Sequence, residues 1–481
     1  MKKVIITLVS LTLMGSVFAQ NDVQKKMEGR IDKAETEIQD HEARLQKLEK
    51  KVKVTPYGFV RNYFNYDSRN TYVSNGGEYN MIPYDEKWNG SQADCDLLGV
   101  ERADMNAVPQ AHFLALTTRI GLKLAGPDVL GAKTSGQIEG DFGGFSTTNS
   151  IFRIRHAYLK LNWDKNDGAL RQELLAGQTW HPLSGDIMPE VLGMAAGAPF
   201  RAHSRTPQLR YTMYSGSGFG ITAAALYQLQ YMYNGPSYSD GKWSSTNSTS
   251  FANQAVVPEL FLGVQYKDDH IYTQIGSTCQ TIRPRTFGYV TKTVGEGDDA
   301  VSKTMAVPVD ELLTTFTPTF YFQYTNNLFA AKFRTIYAQN TSHVNQINGY
   351  GVTNVLEDGT WEYAPMRATI SYLNFAYGKK YRADLFFGYM KNLGAAENLH
   401  DFGGGKHYIY MKGGENFTNL GSIFRIAPSL SYNLPHFNFG LEYEWTACAY
   451  GEQDANGSIL DNEKLHTVAN HRVCALIKYN F

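Results

Sequence analysis

The sequence ANHRVCALIKYNF, residues Ala469 to Phe481, ends the chain and decides its fold. Polar and apolar residues alternate along it, as they do in a β-strand with two different faces. One face would carry Val473, Ala475, Ile477, Tyr479 and Phe481, and the other Arg472, Lys478 and Asn480. A final strand that stops on an aromatic residue is typical of outer-membrane barrels, where it closes the cylinder. We therefore interpret Tyr479 and Phe481 as a signal for the barrel-assembly machinery, the alternative being an edge strand of a soluble sheet.

The first residues predict that the protein is exported. Lys2 and Lys3 precede an apolar run from Val4 to Val17, and the small residues around Ala19 suit cleavage before Gln20. No later stretch approaches the roughly 20 apolar residues that a membrane-spanning helix needs. The 31 Tyr, 26 Phe and 44 Gly residues favour an outer-membrane barrel over a secreted soluble protein, because they can supply aromatic girdles and tight turns.

Charge and cysteine content exclude several partners and cofactors. The formal net charge of -1 gives no bulk attraction to nucleic acid. The four cysteines allow three pairings, and none has the spacing of a metal site. Cys448 and Cys474 share the inward phase of neighbouring predicted strands, which is compatible with a disulfide or with two free thiols. Acidic pairs such as Asp94 and Asp96 lack the spacing of a calcium loop, and we predict no metal or other cofactor.

A heptad pattern between Gln24 and Val52 predicts a short α-helical coiled coil. Isoleucine at two a positions without a consistent leucine at d favours three helices over two. The residues expected to mediate oligomerisation are Ile31, Ile38, Leu45, Leu48 and Val52. The alternative is an amphipathic helix on a membrane surface, which the mixed charges of its polar face and its lack of Trp or Phe disfavour.

Alternation returns after Thr55-Pro56 and continues to the carboxy-terminus. Sixteen strands are predicted, at 57–66, 112–125, 134–143, 152–164, 171–180, 206–214, 218–232, 257–267, 269–280, 314–325, 328–340, 365–377, 380–392, 421–433, 436–450 and 468–481. Short turns between them alternate with long polar loops, a rhythm typical of membrane barrels. The predicted domains are a signal peptide (1–19), a periplasmic coiled-coil stalk (20–54) and an all-β, 16-stranded antiparallel transmembrane barrel (55–481).

The strands place charged residues on one face and large apolar residues on the other. In the fifteenth strand, Leu441 and Tyr443 oppose Glu442 and Glu444. A charge at the bilayer midplane would cost about 2–4 kcal/mol, so we expect the charged faces to line the interior. The predicted outward residues of the second strand are Leu114, Leu116, Ile120, Leu122 and Leu124. The fourth strand departs from the pattern, because its basic residues Arg153, Arg155 and Lys160 do not all fall on one face. This departure indicates a β-bulge or contact with a neighbouring subunit.

The connection 182–204 differs from the other long loops because it is apolar and rich in small residues. Such a segment is expected to fold into the lumen and narrow the pore, with Asp186 and Glu190 facing a basic wall. The alternatives are that it caps the barrel mouth or packs between subunits.

Sixteen strands enclose a lumen too wide for side chains to fill, so water is its expected content. The residues expected to line the pore or its constriction are Arg61, Arg119, Lys123, Glu139, Asp141, Asp186, Glu190, Arg210, Lys332, Arg334, Arg425, Glu442 and Glu444. Further inward charges are predicted at Asp384, Arg472 and Lys478. On the wall, nine basic residues against five acidic ones predict a mild anion preference. In the alternative, these charges pair and leave the pore almost neutral.

Four segments of the chain are distinctive, namely Tyr57-Gly58-Phe59-Val60, Arg153-Ile154-Arg155-His156-Ala157-Tyr158, Leu175-Ala176-Gly177-Gln178-Thr179-Trp180 and Thr206-Pro207-Gln208-Leu209-Arg210-Tyr211. Together with the coiled coil before them, they resemble the DcaP-like family of trimeric outer-membrane porins. The resemblance implies a 16-stranded barrel, a homotrimer and diffusion of small hydrophilic, often anionic, solutes. The long loops at 67–111 and 281–313 depart from the family.

The sequence favours a channel over an enzyme. The twelve histidines are scattered without a nucleophile motif, and His156 and His181 are expected to have a structural or lumenal role rather than a catalytic one. A tether, whose stalk grips the cell wall or a periplasmic partner, is the alternative function. The expected partners are other copies of the chain, small hydrophilic solutes, outer-membrane lipid, lipopolysaccharide and the barrel-assembly machinery.

Overall fold

The computed structural model describes residues 29–41, 52–74, 79–145, 150–165, 167–185, 187–193, 196–294 and 301–481. The predicted signal peptide lies outside the described residues. The chain divides into two compact units. The smaller comprises the residues up to Val54 together with Leu124–Pro127, and the larger comprises Thr55–Lys123 and Asp128–Phe481.

In the smaller unit, residues 29–41 form an α-helix whose residues are all exposed. Two predicted a positions fall in this helix, Ile31 with 46% and Ile38 with 57% of its surface exposed. Leu45 and Leu48 lie outside the described residues, and Val52 precedes the first strand. A helix is thus observed within the heptad segment, whereas its assembly into a coiled coil stays a prediction. No helix among the described residues is long and apolar enough to cross a membrane.

The predicted barrel is confirmed, because sixteen strands pair antiparallel in a closed sheet. The strands are Lys53–Asp67, Gln110–Leu114 continued by Arg119–Ala125, Lys133–Phe145, Ser150–Lys165, Leu170–Trp180, Arg205–Ser215, Phe219–Leu226, Glu259–Lys267, Ile271–Ile282, Leu313–Thr325, Phe329–Gln339, Arg367–Gly378, Tyr381–Gly394, Leu420–Asn433, Phe437–Tyr450 and His466–Asn480. The first strand pairs with the last, from Phe59 opposite Asn480 to Asp67 opposite Arg472, and this pairing closes the cylinder.

The aromatic end of the chain is part of this closing seam. Gly58 and Phe481 exchange two backbone hydrogen bonds of 3.1 Å. The ring of Phe481 lies so close to Gly58 that a Cβ at Gly58 would come within 2.5 Å of it. The backbone oxygen of Arg119 would also lie 2.5 Å from this Cβ, so glycine is required here by the close approach of the ring and of a neighbouring strand.

The second strand is interrupted at 115–118 by a turn in which the Thr118 N–H donates to the Ala115 carbonyl at 3.0 Å. Because the turn changes the side-chain phase, Leu114 packs inside the barrel against Tyr63. The prediction that Leu114 shares an outward face with the later leucines of this strand is therefore wrong.

The two faces of the strands differ as predicted. In Phe437–Tyr450, Leu441 and Tyr443 are 56% and 42% exposed, whereas Glu442 and Glu444 are 1% and 2% exposed. The outer surface of the barrel is therefore apolar, and the charges are turned inward.

The irregularity predicted in the fourth strand is a β-bulge. Glu139 pairs with His156 and Gly140 pairs with Ile154, which leaves Arg155 as the extra residue. The bulge turns Arg155 inward, where only 2% of it is exposed.

At one end of the barrel the connections are mostly short turns, and at the other most are long and form small elements of their own. These are the hairpins Thr71–Ser74 with Tyr79–Pro83, Tyr233–Ser239 with Lys242–Ser248 and Phe287–Val294 with Val301–Pro308, the sheet of Gly349–Val355, Trp361–Pro365 and Ile409–Met411, the α-helices Gln92–Leu98 and Ser250–Asn253, and the 3₁₀-helices Ser342–Val344 and Gly414–Phe417. The seventh strand ends at Leu226, before the predicted 232, because the chain leaves the barrel there to reach the second hairpin.

An apolar core fills part of the lumen. Residues of the connection 181–204 pack there against the inner faces of later strands, and the core includes Leu183, Ala196, Ala198, Phe200, Ile336, Ile370, Tyr372, Phe386, Met390, Ile423 and Cys448. The expectation that the lumen holds mainly water is therefore wrong for this side of the barrel.

All four cysteines are free thiols. Cys448 lies opposite Val468 and Cys474 opposite Glu442 in the pairing of the last two strands. The two thiols are thus at different heights of the barrel, which excludes the disulfide that the sequence left open.

Candidate functional site

The described residues of the connection 181–204, here called the infolded loop, lie along the inner wall of the barrel. The Nη1 of Arg334 donates to the carbonyl of Leu183 and, at 2.6 Å, to that of Ser184. The Tyr372 hydroxyl donates to the Ile187 carbonyl at 3.2 Å. The first half of the loop is therefore fixed to the eleventh and twelfth strands.

Glu190 is held in the middle of the infolded loop by basic residues of the wall. It forms ion pairs with Lys332 and, at 2.8 Å, with Arg382. The Asn374 amide binds its backbone on both sides, accepting from the Glu190 N–H at 2.6 Å and donating to its carbonyl at 3.1 Å. Asp186, the other acidic residue predicted to face this wall, lies outside the described residues.

Two buried charges hold the second half of the loop. Glu442 accepts from the backbone N–H groups of Leu192 at 2.8 Å and Gly193 at 3.0 Å. Arg425 Nη1 donates to the carbonyls of Ala196, at 3.1 Å, and Ala198. These wall residues satisfy backbone groups that would otherwise be unpaired inside the barrel.

Glycines in the wall make room for two side chains of the infolded loop. A Cβ at Gly388 would lie 2.3 Å from the Phe200 ring, and one at Gly440 would lie 2.2 Å from the Leu192 side chain. Glycine within a strand often marks such a close approach. The sequence shows these glycines but not which side chain approaches them, since Gly140 and Gly220 make room for neighbouring strands instead.

A second group of charges lies on the first strands of the barrel. Glu139 binds Arg119 at 3.3 Å and Arg155 at 2.8 Å. Asp141 binds Arg153 at 2.7 Å and also binds Arg155. Arg153 and Arg155 were not among the predicted pore residues, because the bulge that turns both inward was not located from the sequence.

Three further basic residues of this wall lie over aromatic rings. The guanidinium of Arg61 is 5.0 Å from the Tyr63 ring centroid, and its Nε donates to Thr117 at 2.8 Å. Lys123 Nζ lies 5.3 Å from the ring of Tyr57. Lys478 Nζ lies 4.5 Å from the ring of Phe59. Aromatic faces stabilise these cations without neutralising them.

Trp180 joins the end of the infolded loop to this wall. Its ring lies 4.6 Å from the guanidinium of Arg205, 5.2 Å from that of Arg201 and 5.9 Å from that of Arg155. His203 packs against the same ring at 5.1 Å. The sequence did not predict this cluster, because Arg201 and Arg205 lie at the end of a connection. No periodic pattern there indicates towards which face a side chain points.

The remaining predicted pore residues are paired across neighbouring strands. Arg210 lies 4.0 Å from Glu173. Glu444 lies 3.2 Å from Arg425 and 3.9 Å from Arg472. Many inward charges are therefore neutralised locally, in keeping with the alternative that the sequence left open.

A cavity of about 720 Å³ lies between the start of the infolded loop and the short turns at the other end of the barrel. Its charged lining residues are Asp128, Lys133, Lys160, Asp164, Arg171, Glu173, Arg210, Lys267, Asp268 and Asp269. Both signs of charge occur in equal number, so this part of the lumen is polar without a net charge.

A closed sixteen-stranded barrel with a loop folded along its inner wall has the architecture of an outer-membrane channel. Among solved structures, the chain is similar to the outer membrane channel DcaP of Acinetobacter baumannii, with a TM-score of 0.57 and 16% sequence identity over 90% of this chain and 98% of that one. At this identity the similarity shows the fold, and it agrees with the family that the sequence resembles.

Two other solved structures are similar at a lower level. The anion-selective porin from Comamonas acidovorans has a TM-score of 0.48 and 11% identity over 90% of this chain and 100% of that one. OmpF of Salmonella typhi, in complex with daunomycin, has a TM-score of 0.43 and 11% identity over 89% and 97% of the two chains. No protein-family model and no curated protein matches the chain.

Proposed function

We propose that the protein is a porin of the bacterial outer membrane through which small hydrophilic solutes diffuse passively. The observation that carries this proposal is the closed barrel with an apolar outer surface and charged residues inside. Such a barrel satisfies its backbone hydrogen bonds in lipid and encloses a polar lumen. The fold shared with the channel DcaP supports this function.

The pore runs between the infolded loop and the wall of the first strands. The loop is fixed to the later strands by Arg334, Arg425 and Glu442, so it narrows the lumen from that side. These three predicted pore residues act mainly as anchors of the loop. Solutes therefore meet the charges on the opposite side of the constriction.

We infer a mild anion preference from the charges along this route. Apart from the cavity lining, which carries both signs equally, and the buried ion pair of Asp67 with Arg472, the inward residues of the first four strands and the last one include six basic residues against two acidic ones, namely Arg61, Arg119, Lys123, Arg153, Arg155 and Lys478 against Glu139 and Asp141. An excess of positive charge in a wall of low dielectric raises the local concentration of anions.

Liposome swelling tests the proposed function. We expect liposomes that contain the purified protein to swell in isosmotic solutions of a small neutral sugar, and faster with a small organic anion of similar size. Liposomes that contain heat-denatured protein are the control. Equal rates for protein and control would contradict a pore, and a faster rate for a matched organic cation would contradict the anion preference.

We also propose that three copies of the chain associate through the amino-terminal helix. Ile31 and Ile38 are exposed in the single chain, and burial of such side chains in a helical seam would be favourable. The helix would then form a stalk in the periplasm. Contact of this stalk with the cell wall is a second function compatible with a pore.

A further inference from the structure

Three buried side chains from separate parts of the chain converge at the start of the infolded loop. His181 begins that loop, Glu259 begins the eighth strand, and His343 lies in the 3₁₀-helix Ser342–Val344. Glu259 Oε2 lies 3.2 Å from Nε2 of His181 and 3.1 Å from Nε2 of His343. One ligand atom from each residue lies within 4.8 Å of the others. The three atoms could therefore contact a single ion.

The donor set has the chemistry of a zinc site. Two imidazoles and one carboxylate are ligands that Zn²⁺ accepts, with a fourth position left for water. Tetrahedral Zn²⁺ with bonds of about 2.0–2.1 Å places its ligand atoms about 3.3 Å apart, close to the two distances above. Glu259 Oε1 is buried and has no hydrogen-bond partner among the described residues, so the carboxylate has a second oxygen to offer.

The surroundings of His343 suit a metal ligand. The ring of Tyr233 stacks on it, with centroids 4.8 Å apart and planes inclined by 15°. The side-chain amide nitrogen of Gln280 lies 3.2 Å from its Nδ1 and 3.1 Å from its Nε2, so a bound ion would take over the second of these contacts. The Gln280 oxygen accepts from the Asn340 amide at 3.2 Å. If both amides are turned over, this bond is kept with its direction reversed, and the Gln280 oxygen can accept the Nδ1 proton, which gives His343 the partner that a metal-bound histidine normally has.

For His181 to bind a metal ion, one of its hydrogen bonds must be given up. The Leu183 N–H donates to its Nδ1 at 3.1 Å, so the ring carries its proton on Nε2, the atom that faces Glu259. An ion bound at Nε2 would shift the proton to Nδ1 and break the bond to Leu183. One neutral hydrogen bond contributes much less than a bond from imidazole to metal.

We propose that His181, Glu259 and His343 form a binding site for one divalent transition-metal ion, with Zn²⁺ as the representative ion. The ion would join the infolded loop to the eighth strand and to the long connection 340–366. Its role would be structural, because all three ligands are buried.

The test uses the full-length protein, stripped with EDTA and dialysed against Zn²⁺. We expect one Zn²⁺ per chain by elemental analysis and a higher unfolding temperature than that of the stripped protein. Co²⁺ in place of Zn²⁺ should give the intense visible absorption of a tetrahedral site with nitrogen and oxygen ligands. Less than one-tenth of an ion per chain, or no such absorption, would overturn the proposal and leave only a hydrogen-bonded cluster.

Variants distinguish this site from adventitious binding. Glu259→Gln and His343→Gln should each weaken Zn²⁺ binding by at least about 100-fold. The matched control is His471→Gln, whose imidazole is exposed and bonds Tyr443 at 2.7 Å. Binding that is equal in the control and in the site variants would overturn the proposal. If a site variant fails to fold, the Co²⁺ spectrum of the unaltered protein decides the question.

Discussion

At the scale of single residues, the sequence predicted which way a side chain points better than what it contacts. A period of two assigns Glu442 and Arg425 to the inner face, and both are buried there. Their partners include backbone groups of the infolded loop, more than two hundred positions away in the chain. Such pairs depend on the folded barrel, and no local pattern in one sequence indicates them.

The lysines of the basic wall give the first prediction. Each charge about 8 Å from a passing ion in water contributes about 0.5 kcal/mol, which is a factor of about two in local concentration. Removal of one such charge lowers the local concentration of anions and raises that of cations, so the ratio changes by the square of this factor. Lys123→Gln combined with Lys478→Gln should therefore lower the ratio of anion to cation permeability by about 16-fold at low salt and by roughly fourfold at 0.1 M salt, where the Debye length is about 10 Å. The reversal potential in a KCl gradient measures this ratio.

The control for this prediction is Lys464→Gln, since Lys464 is 64% exposed and lies in a loop beside Glu452. We expect it to leave the reversal potential unchanged. An unchanged potential in the double variant would show that these lysines do not act on the permeating ions.

Asp104 gives a prediction about how the stability of the loop 68–109 depends on pH. Burial alone would raise its pKa, but the N–H groups of Lys87 and Asn106 and the guanidinium of Arg69 outweigh this, and the pKa of Asp104 is lowered. The carboxylate therefore stabilises the loop at pH values above the usual carboxyl pKa of about 4, and this contribution is lost as the pH falls through the lowered pKa.

Hydrogen exchange of the Lys87 and Asn106 amides measures this effect. After correction for the intrinsic exchange rate, we expect their protection to be high at pH 6 and to decrease at acidic pH. In Asp104→Asn the pH dependence should disappear. Protection in the unaltered protein that is equal at pH 6 and at a pH below the lowered pKa of Asp104 would contradict the prediction.

At the scale of elements, strand positions were largely predictable because half-buried strands alternate strictly. The exceptions have local causes, such as the turn at 115–118 and the bulge at Arg155. The inner apolar core was missed because in strands such as Tyr381–Gly394 both faces are apolar, with Phe386 inside and Phe387 outside. A strand buried on both faces reads as a continuous apolar run, and this run could have indicated that the loop packs there.

Gly388 gives a prediction about how the infolded loop is held. In Gly388→Val the new side chain would occupy the position of the Phe200 ring, which lies 2.3 Å from the site of its Cβ. We expect a loss of about 1–3 kcal/mol in the free energy of unfolding and displacement of the loop. Limited trypsin digestion should then cut after Arg201, a cut that we expect to be absent in the unaltered protein.

Ala383→Val is the matched control, because Ala383 lies on the same strand and is exposed. It should keep both the stability and the protection from trypsin. Equal protection in the Gly388 variant and the control would contradict the account of how Phe200 holds the loop.

At the scale of the whole molecule, the closed barrel followed from the sequence because strand number, short turns and an aromatic end agree with one another. The structure of a single chain gives only indirect evidence for association of several chains, namely exposed apolar side chains such as Ile31 and Ile38. The heptad pattern remains the basis for the proposed trimer.

The stalk gives a prediction about this assembly. Ile31→Asp combined with Ile38→Asp places charges at two a positions and should lower the temperature at which detergent-solubilised trimers dissociate. Light scattering coupled to size-exclusion chromatography measures the mass of the assembly. The control is Thr36→Asp, which changes an exposed position away from the seam. Identical dissociation of both variants would contradict a role of this helix in assembly.

The most direct test of the account is single-channel recording from the purified protein in a planar lipid bilayer. A water-filled pore narrowed by the infolded loop predicts stable, ohmic conductance, with steps in groups of three for a trimer. A folded protein that inserts into the bilayer and passes no ions would contradict the central claim that its charged interior is an open path for solutes.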